Sequence, residues 1–150
     1  MASGPPPRDL SDETLSEIIG CHTFGTLATL RPSGHPHLTT MIYSWDPIER
    51  IVRFFTTAAR VKVAQLRRNP RAALHVSGPD VWSFAVAEGE AEISDISTEP
   101  GDATGREIWG MLPDDMRPAD QAAFFRSMVD ERRVVIRLRV DKLYGTVLDQ

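Results

Sequence analysis

The chain has 150 residues, of which 41% are hydrophobic and 25% are charged, and its formal net charge is −4. This length predicts one domain with a core of its own, so we expect a single domain over residues 10–150. The apolar runs are much shorter than the roughly twenty residues of a membrane span, and Met1 to Arg8 lacks the apolar stretch of a signal peptide, which predicts a cytoplasmic protein.

Positive charge is concentrated in one segment of the chain. Arg50 to Arg71 contains seven basic residues and no acidic one, so the other 128 residues hold ten of the 17 basic groups and all 21 acidic ones. Nucleic-acid-binding proteins usually present a broad basic face. An acidic body with one short basic segment therefore favours a discrete anionic ligand over nucleic acid.

The first part of the chain predicts a tail, one helix and then strands. Met1 to Asp9 is rich in Pro and predicts a disordered tail. A helix should begin at Ser11, whose hydroxyl can cap the first turn, with Leu15 and Ile19 on its apolar side. Three strands follow, the first two joined by a turn that contains Gly34: Phe24 to Leu30, His35 to Trp45 and Ile51 to Thr56.

The rest of the chain predicts three helices among further strands. A helix is expected over Ala59 to Asn69, because Val63 and Leu66 share one side and Pro70 stops the helix. Two strands, two helices and two strands come next: Ala72 to Val76, Val81 to Ile93, Glu99 to Met111, Pro118 to Met128, Arg133 to Val140 and Leu143 to Leu148. Short antiparallel strands with helices between them are typical of a closed or nearly closed barrel.

The sequence contains none of the common catalytic motifs. G-x-S-x-G, H-E-x-x-H, G-x-G-x-x-G and the Walker loop are all missing. Only His35 and His37 could form a metal pair, and no nearby carboxylate or cysteine completes a ligand set, so no metal site is predicted. Cys21 is the single cysteine, which excludes an intrachain disulfide.

The strongest local signal lies at the junction of a predicted strand and a predicted helix. Thr56 and Thr57 supply hydroxyls there, and Arg60 and Lys62 supply positive charge beside the free amides of the helix start. Directional donors combined with charge are what a phosphate needs. An ordinary helix with a solvated basic face is the alternative, and the residues alone leave both interpretations open.

Aromatic side chains near the predicted turns form a second candidate feature. They are Tyr43, Trp45, Trp82 and Phe84. Rings of this kind can wall a flat heteroaromatic ligand, but they can equally belong to the core or to an interface.

Four motifs in this order resemble the pyridoxamine-phosphate-oxidase-like superfamily. They are Gly25-Thr26-Leu27-Ala28-Thr29-Leu30, Ser33-Gly34-His35-Pro36-His37, Ala59-Arg60-Val61-Lys62 with Leu66-Arg67-Arg68-Asn69-Pro70-Arg71, and Trp82-Ser83-Phe84-Ala85-Val86-Ala87-Glu88-Gly89. The resemblance spans about Phe24 to Gly145. It is strongest to the actinobacterial branch that uses the deazaflavin coenzyme F420.

The resemblance implies a mainly β fold with peripheral helices, namely an FMN-binding-protein-like split β-barrel. It also implies a homodimer whose two clefts lie at the subunit interface, each binding one cofactor with residues of both protomers. The implied cofactor-binding residues are Arg60, Val61 and Lys62 at the phosphate and anionic tail, His37, Thr39, Thr40 and Met41 beside the tricyclic ring, Phe55, Thr56 and Thr57 on the next strand, and Trp82 and Phe84 from the partner chain.

By the same resemblance, the expected function is an F420-dependent reductase. Reduced deazaflavin would deliver hydride from its C5 to an electron-poor double bond of a conjugated small molecule, which suits a sequence without a catalytic triad. Tyr43 or water could supply the proton, and no catalytic residue is assigned. We expect neither a nucleic-acid nor a membrane partner.

The end of the chain departs from the oxidases that use FMN. It lacks their Trp- and Arg-bearing C-terminal motif and stops at Leu148-Asp149-Gln150. Oxidation of pyridoxamine phosphate is therefore not expected. An FMN-binding oxidoreductase and a non-catalytic flavin or deazaflavin carrier remain the alternatives.

Overall fold

The protein is built around one curled antiparallel sheet, which a computed structural model describes over residues 8–147. Its elements are β1 (Arg8–Asp9), α1 (Asp12–Gly20), β2 (Phe24–Leu30), β3 (Pro36–Ile42), β4 (Ser44–Asp46), β5 (Ile51–Thr57), α2 (Val61–Arg68), β6 (Arg71–Ser77), β7 (Phe84–Ile93), α3 (Ala103–Met111), a 3-10 turn (Asp114–Met116), α4 (Gln121–Asp130) and β8 (Arg133–Val147). The prediction of a mainly β fold with peripheral helices is confirmed.

The sheet closes on itself almost completely. Its strand order is β3-β2-β6-β7-β8-β5-β4, with β1 added beside β8. Strands β3 and β5 belong to opposite ends of this order and yet contact each other. The sheet therefore forms a split barrel, in which edge strand β3 faces the β5 side without pairing to it.

One hydrophobic core fills the barrel. The inward side of β5 contributes Val52 and Phe54, both fully buried, because alternate residues of a strand point to the same face. Helix α1 adds Leu15 and Ile19 to this core, and α2 adds Leu66. Both helices are therefore anchored to the inside of the barrel by their apolar sides.

A second, smaller core lies on the opposite face of β5 and β8. It consists of Ile108 on α3, Met128 on α4 and Val135 on β8, with Phe55 and Phe124 packed against them. Helices α3 and α4 thus cover the part of the sheet that would otherwise expose these apolar residues.

Helix α1 starts as predicted, whereas the three later helices start after the predicted residues. Helix α1 begins after Ser11, whose Oγ accepts a hydrogen bond from the Thr14 amide at 3.2 Å, as predicted. Helices α3 and α4 begin three to four residues later than expected, because Asp102 and Asp120 cap them. A carboxylate that accepts from the third amide of a helix fixes where the helix starts.

The last strand was predicted wrongly as two strands. Arg133 to Val147 is one continuous strand, because β7 pairs with it across the charged stretch, where Lys142 lies opposite Glu88. The pairing passes through an irregularity between Glu88 and Gly89. A β-carbon on Gly89 would lie only 1.8 Å from the Arg139 carbonyl oxygen, so this close approach requires glycine.

Most of the predicted tail, Met1 to Pro7, lies outside the described residues, as does Leu148-Asp149-Gln150. The last two residues of that predicted tail, Arg8 and Asp9, instead form β1 and pair with Val147 and Thr146. Between residues 8 and 147, no helix has both the length and the apolar character to cross a membrane.

Candidate functional site

The candidate site lies where the two ends of the sheet approach each other. Strand β5 ends at Thr57, and α2 begins four residues later at Val61. Strand β3 contacts β5, and the β2 strand beside it contacts α2. The fold therefore places strand β3 beside α2, where Gln65 reaches His37, and the chain connects the end of β5 directly to the start of that helix.

Strand β3 presents only some of its predicted residues to this region. His37, Thr39 and Met41 are half-buried on one face, whereas Leu38 and Thr40 are exposed on the other. Met41 packs against the barrel core. Alternation along the strand thus separates Thr40 from the other three predicted β3 residues.

The start of α2 carries two cations without a counter-ion. Arg60 is exposed and Lys62 is half-buried, and neither forms an ion pair within the part of the chain that the structure describes. Burial lowers the pKa of Lys62 below its ordinary value, and the charge of Arg60 lowers it further. The first amides of a helix lack partners inside the helix. Charge and hydrogen-bond donors are therefore available together at this point.

A buried amide connects α2 to the neighbouring strands. The side chain of Gln65 is only 3% exposed. Its Oε1 accepts a hydrogen bond from the Thr29 hydroxyl at 2.6 Å and lies 3.1 Å from Nδ1 of His37. Neither Gln65 nor Thr29 was among the predicted site residues. The sequence feature that could have indicated Thr29 is a hydroxyl at an inward position of β2, two residues after the buried Leu27.

The end of β5 separates its predicted residues. Thr56 is buried on the inward side together with Phe54. Phe55 lies on the opposite face, where it packs under α3 and α4 and where the Arg133 guanidinium lies 5.4 Å from its ring. Thr57 is half-buried and its carbonyl accepts from the Arg60 amide at 3.1 Å. The structure does not bring Phe55 together with His37.

The loop before β7 presents an exposed indole. Trp82 is 67% exposed, and its amide donates to Oδ1 of Asp80 at 2.8 Å. The Ser83 hydroxyl donates to the same carboxylate at 3.0 Å, and these hydrogen bonds lower the pKa of Asp80. A loop fixed by one carboxylate thus holds Trp82 outward. Phe84 follows and stacks on His75, with 5.4 Å between the ring centroids.

An apolar groove of about 410 Å³ runs over the outer face of the sheet. Its lining includes Leu38 on β3, which is 62% exposed, and Tyr144 on β8, which is 41% exposed. Phe24 on β2 is also exposed. Soluble monomers seldom leave several large apolar side chains exposed on one face.

Tyr43 does not face the site. It is buried in the core, and its hydroxyl donates to the Ile19 carbonyl at 2.5 Å. Burial raises its pKa well above the ordinary value, and the Cys21 thiol group adds to the effect. The hydroxyl proton of Tyr43 therefore takes part in a hydrogen bond within the core.

The arrangement can bind an anion next to a hydrogen-bonding edge. In residues 8–147 no group of three or more His, Cys, Asp or Glu side chains is placed to hold a metal ion. His35 lies in the turn before β3 and is exposed beside Ser33. Unpaired cations, free amides and the buried amide of Gln65 fit a ligand that carries a phosphate and a polar ring.

Comparison with known structures agrees with this fold. An F420 reductase of known structure is 26% identical, with a TM-score of 0.61, over 85% of this chain and 94% of that one. The conserved hypothetical protein Rv2991 from Mycobacterium tuberculosis is also 26% identical, with a TM-score of 0.67, over 97% of this chain and 89% of that one. A FAD-binding protein from Mesorhizobium loti is 17% identical, with a TM-score of 0.69 over 98% and 100% of the two chains, and shows the fold alone.

The family resemblance inferred from the four motifs is confirmed by a family model. The model described as pyridoxamine 5'-phosphate oxidase matches residues 11–146, which is nearly the whole chain. The split barrel of the structure is the fold that this resemblance implied. The chain therefore belongs to the pyridoxamine 5'-phosphate oxidase family.

Proposed function

We propose that this protein is a cytoplasmic oxidoreductase that binds coenzyme F420 and reduces a conjugated small molecule. The observation that carries cofactor binding is the uncompensated pair of cations at the start of α2, next to the polar face of β3. The F420 reductase among the similar structures supports the deazaflavin as the cofactor. When bound, the reduced deazaflavin supplies the hydride.

In this proposal the start of α2 binds the phosphate. Arg60 supplies a guanidinium with several donors, and Lys62 supplies a point charge held close to the barrel by partial burial. Val61 lies between them with its side chain exposed, so its amide is the group that it contributes. Anions bind readily at helix starts because free amides and the helix dipole act together.

The polar ring of the cofactor would lie along β3. His37 and Thr39 share the half-buried face of this strand and offer a ring nitrogen and a hydroxyl. Thr56 lies at the end of the facing strand β5. These groups bind and orient, and the gain in rate comes from holding substrate and cofactor in contact.

A homodimer completes this site in the proposal. A second copy would cover the outer apolar face that includes Leu38 and Tyr144, which otherwise stays in water. The outward loop with Trp82, followed by Phe84, would then reach the cleft of the partner chain. An aromatic ring brought in this way could wall a flat ligand.

FMN is the alternative cofactor, because it also joins a phosphate to a flat polar ring. The FAD-binding protein from Mesorhizobium loti, which shares the fold, is consistent with a flavin in this kind of barrel. The protein would then be an FMN-binding oxidoreductase, or a carrier that binds its cofactor without turnover. The cations at the start of α2 serve each of these alternatives equally.

A side-by-side fluorescence titration with F420 and with FMN tests the proposal. We expect tighter binding of F420, and we expect Arg60→Ala/Lys62→Ala to weaken it at least about tenfold, since charge-assisted hydrogen bonds contribute about 1.5–3 kcal/mol each. Arg106→Ala/Arg126→Ala removes two exposed cations on α3 and α4, away from this helix, and serves as the matched control. Preference for FMN would favour the alternative, and binding of neither would refute both.

A substrate screen then separates an enzyme from a carrier. The protein loaded with reduced F420 is mixed with a panel of conjugated enones, and the return of the oxidised-cofactor absorbance is followed. Turnover of any panel member supports the reductase. Tight binding with no turnover across the panel favours the carrier.

A further inference from the structure

The hydrogen bonds around Gln65 connect three elements of the proposed site. Gln65 lies on α2, one turn after the phosphate-binding start of that helix, and it reaches Thr29 on β2 and His37 on β3. A single oxygen atom, Oε1, is the shared partner of both contacts. In the described part of the chain the amide nitrogen of Gln65 forms no hydrogen bond.

This geometry fixes which nitrogen of His37 carries the proton. A carbonyl oxygen of an amide accepts hydrogen bonds and cannot donate one. The Nδ1 atom of His37 lies 3.1 Å from this oxygen, so Nδ1 must carry the hydrogen that makes the contact. In the neutral ring, Nε2 is then unprotonated and acts as an acceptor.

The distance from Thr29 Oγ1 to Gln65 is 2.6 Å, which is usual for an O–H···O hydrogen bond and shorter than the usual N–H···O range, so the amide oxygen rather than its nitrogen faces the Thr29 hydroxyl. This contact lies deep in the barrel wall, where Thr29 is 2% exposed. A reversed amide would present its nitrogen to both neighbours, and Nδ1 of His37 would then have to accept. The orientation of one buried amide therefore decides the tautomer of His37.

We infer that Gln65 is a positioning residue that holds His37 as the Nδ1–H tautomer, so that Nε2 accepts a hydrogen bond from the ligand in the cleft. This rests on the proposed function, because it assigns a task to a residue of the same site. The ligand group that fits is a donor, an N–H or an O–H, such as the imide N–H of a flavin or deazaflavin ring. Nε2 lies on the edge of the imidazole remote from Gln65, on the half-buried face of β3.

The tautomer can be measured without any ligand. Two-dimensional ¹H–¹⁵N correlation spectra of imidazole nitrogens at about pH 8, where imidazoles are mostly neutral, distinguish protonated from bare nitrogen. The protein has four imidazoles to assign, those of His22, His35, His37 and His75. His37→Gln identifies the signals of His37. We expect its Nδ1 to be protonated and its Nε2 to be bare.

Gln65→Met tests the cause. Methionine has a similar length and no hydrogen-bonding amide, so we expect His37 to shift toward the other tautomer and ligand binding to weaken about five- to tenfold. Gln121→Met makes the same exchange at an exposed position of α4 and should change neither quantity. The thermal unfolding of both variants shows that each is folded.

The outcomes separate this inference from the proposed function. Protonation of Nε2 in the unaltered protein would overturn the inference, whether or not a ligand binds and whether or not Gln65→Met folds. Unchanged affinity in Gln65→Met would remove Nε2 from the ligand contact and would also overturn it. An Nδ1–H tautomer that depends on Gln65 in a protein that binds neither F420 nor FMN would support the positioning of His37 and refute the proposed function.

Discussion

At the scale of single residues, the candidate site depends on a few polar groups whose protonation is set by their surroundings. Lys62 is half-buried, and burial together with the charge of Arg60 disfavours its charged form. Tyr43 lies outside the candidate site, and its hydroxyl donates to the Ile19 backbone carbonyl. Burial acts on both side chains, and in each case it opposes the charged form.

The lowered pKa of Lys62 predicts a pH dependence of anion binding. The protonated amine attracts the phosphate, so binding should weaken as pH rises and should do so below the ordinary lysine value of 10.5. Lys62→Arg should abolish this loss, because arginine stays charged. Titration of cofactor affinity between neutral and alkaline pH checks it. An identical alkaline loss in both proteins would mean that another group causes it.

Tyr43→Phe should lower stability and leave ligand binding unchanged. The variant keeps the ring and loses one hydrogen bond to the Ile19 carbonyl, which predicts about 0.5–1.5 kcal/mol less free energy of unfolding. Urea denaturation measures the change, and a fluorescence titration checks the affinity. A large drop in turnover at unchanged stability would instead give Tyr43 a part in the reaction.

Sequence reasoning predicted some residues of the candidate site and overlooked others for a physical reason. Arg60 and Lys62 could be predicted, because charge beside a helix start is visible in the sequence. Gln65 could not, since its importance depends on how closely α2 packs against β2 and β3. An amide inside a basic helix looks like any solvated surface residue until the packing is known.

At the scale of elements, the carboxylate of Glu107 connects α3 to two strands of the sheet. Glu107 accepts hydrogen bonds from Arg53 on β5 at 2.9 Å and from two nitrogens of Arg137 on β8, at 2.7 and 2.5 Å. Burial alone would raise the pKa of Glu107, but the hydrogen bonds from Arg137 and Arg53 and their charges outweigh it and lower the pKa. The helix that covers Phe55 is thus held by a partly buried ionic cluster.

Glu107→Gln should destabilise the protein by about 1–3 kcal/mol, because two guanidinium groups lose a charged partner. Since the folded pKa is lowered, the carboxylate contributes stability above its ordinary value of 4.5, and this contribution is lost as pH falls through the lowered pKa. Thermal unfolding from neutral to acidic pH measures both effects. Glu99→Gln, at an exposed position before α3, is the control and should behave like the unaltered protein.

Element boundaries could be predicted where the pattern is strictly local. Strand β2 was predicted with its observed bounds, Phe24 to Leu30, since its alternation ends at a turn. Strand β8 was not, because its middle is charged and only the pairing with β7 keeps it extended. Tertiary pairing therefore decides the elements that lack a clear apolar period.

At the scale of the whole molecule, the outer face of the barrel is the surface on which the single chain leaves large apolar side chains exposed to water. Leu38, Phe24 and Tyr144 are exposed there. The family and the barrel could be predicted, because four motifs in order specify them. The homodimer stays a prediction, since association depends on surface complementarity between two copies rather than on any local pattern.

Leu38→Lys should shift the protein from dimer to monomer. A charge at a position that is apolar and 62% exposed in the single chain would have to be buried between two copies. Light scattering after size-exclusion chromatography gives the mass. Ile48→Lys makes the same exchange at a turn residue that is 92% exposed, and should leave the mass unchanged. A monomeric unaltered protein would contradict the dimer directly.

The position of β8 in the chain has a consequence for folding during synthesis. This strand pairs with β7 on one side and with β5 on the other, and β1 joins it near its end. Until β8 has left the ribosome, β5 and β7 each have an open edge, and such edges invite pairing with other chains. Barrel closure therefore cannot precede the emergence of β8, and a nascent chain that still lacks β8 presents two open strand edges at which other chains could pair.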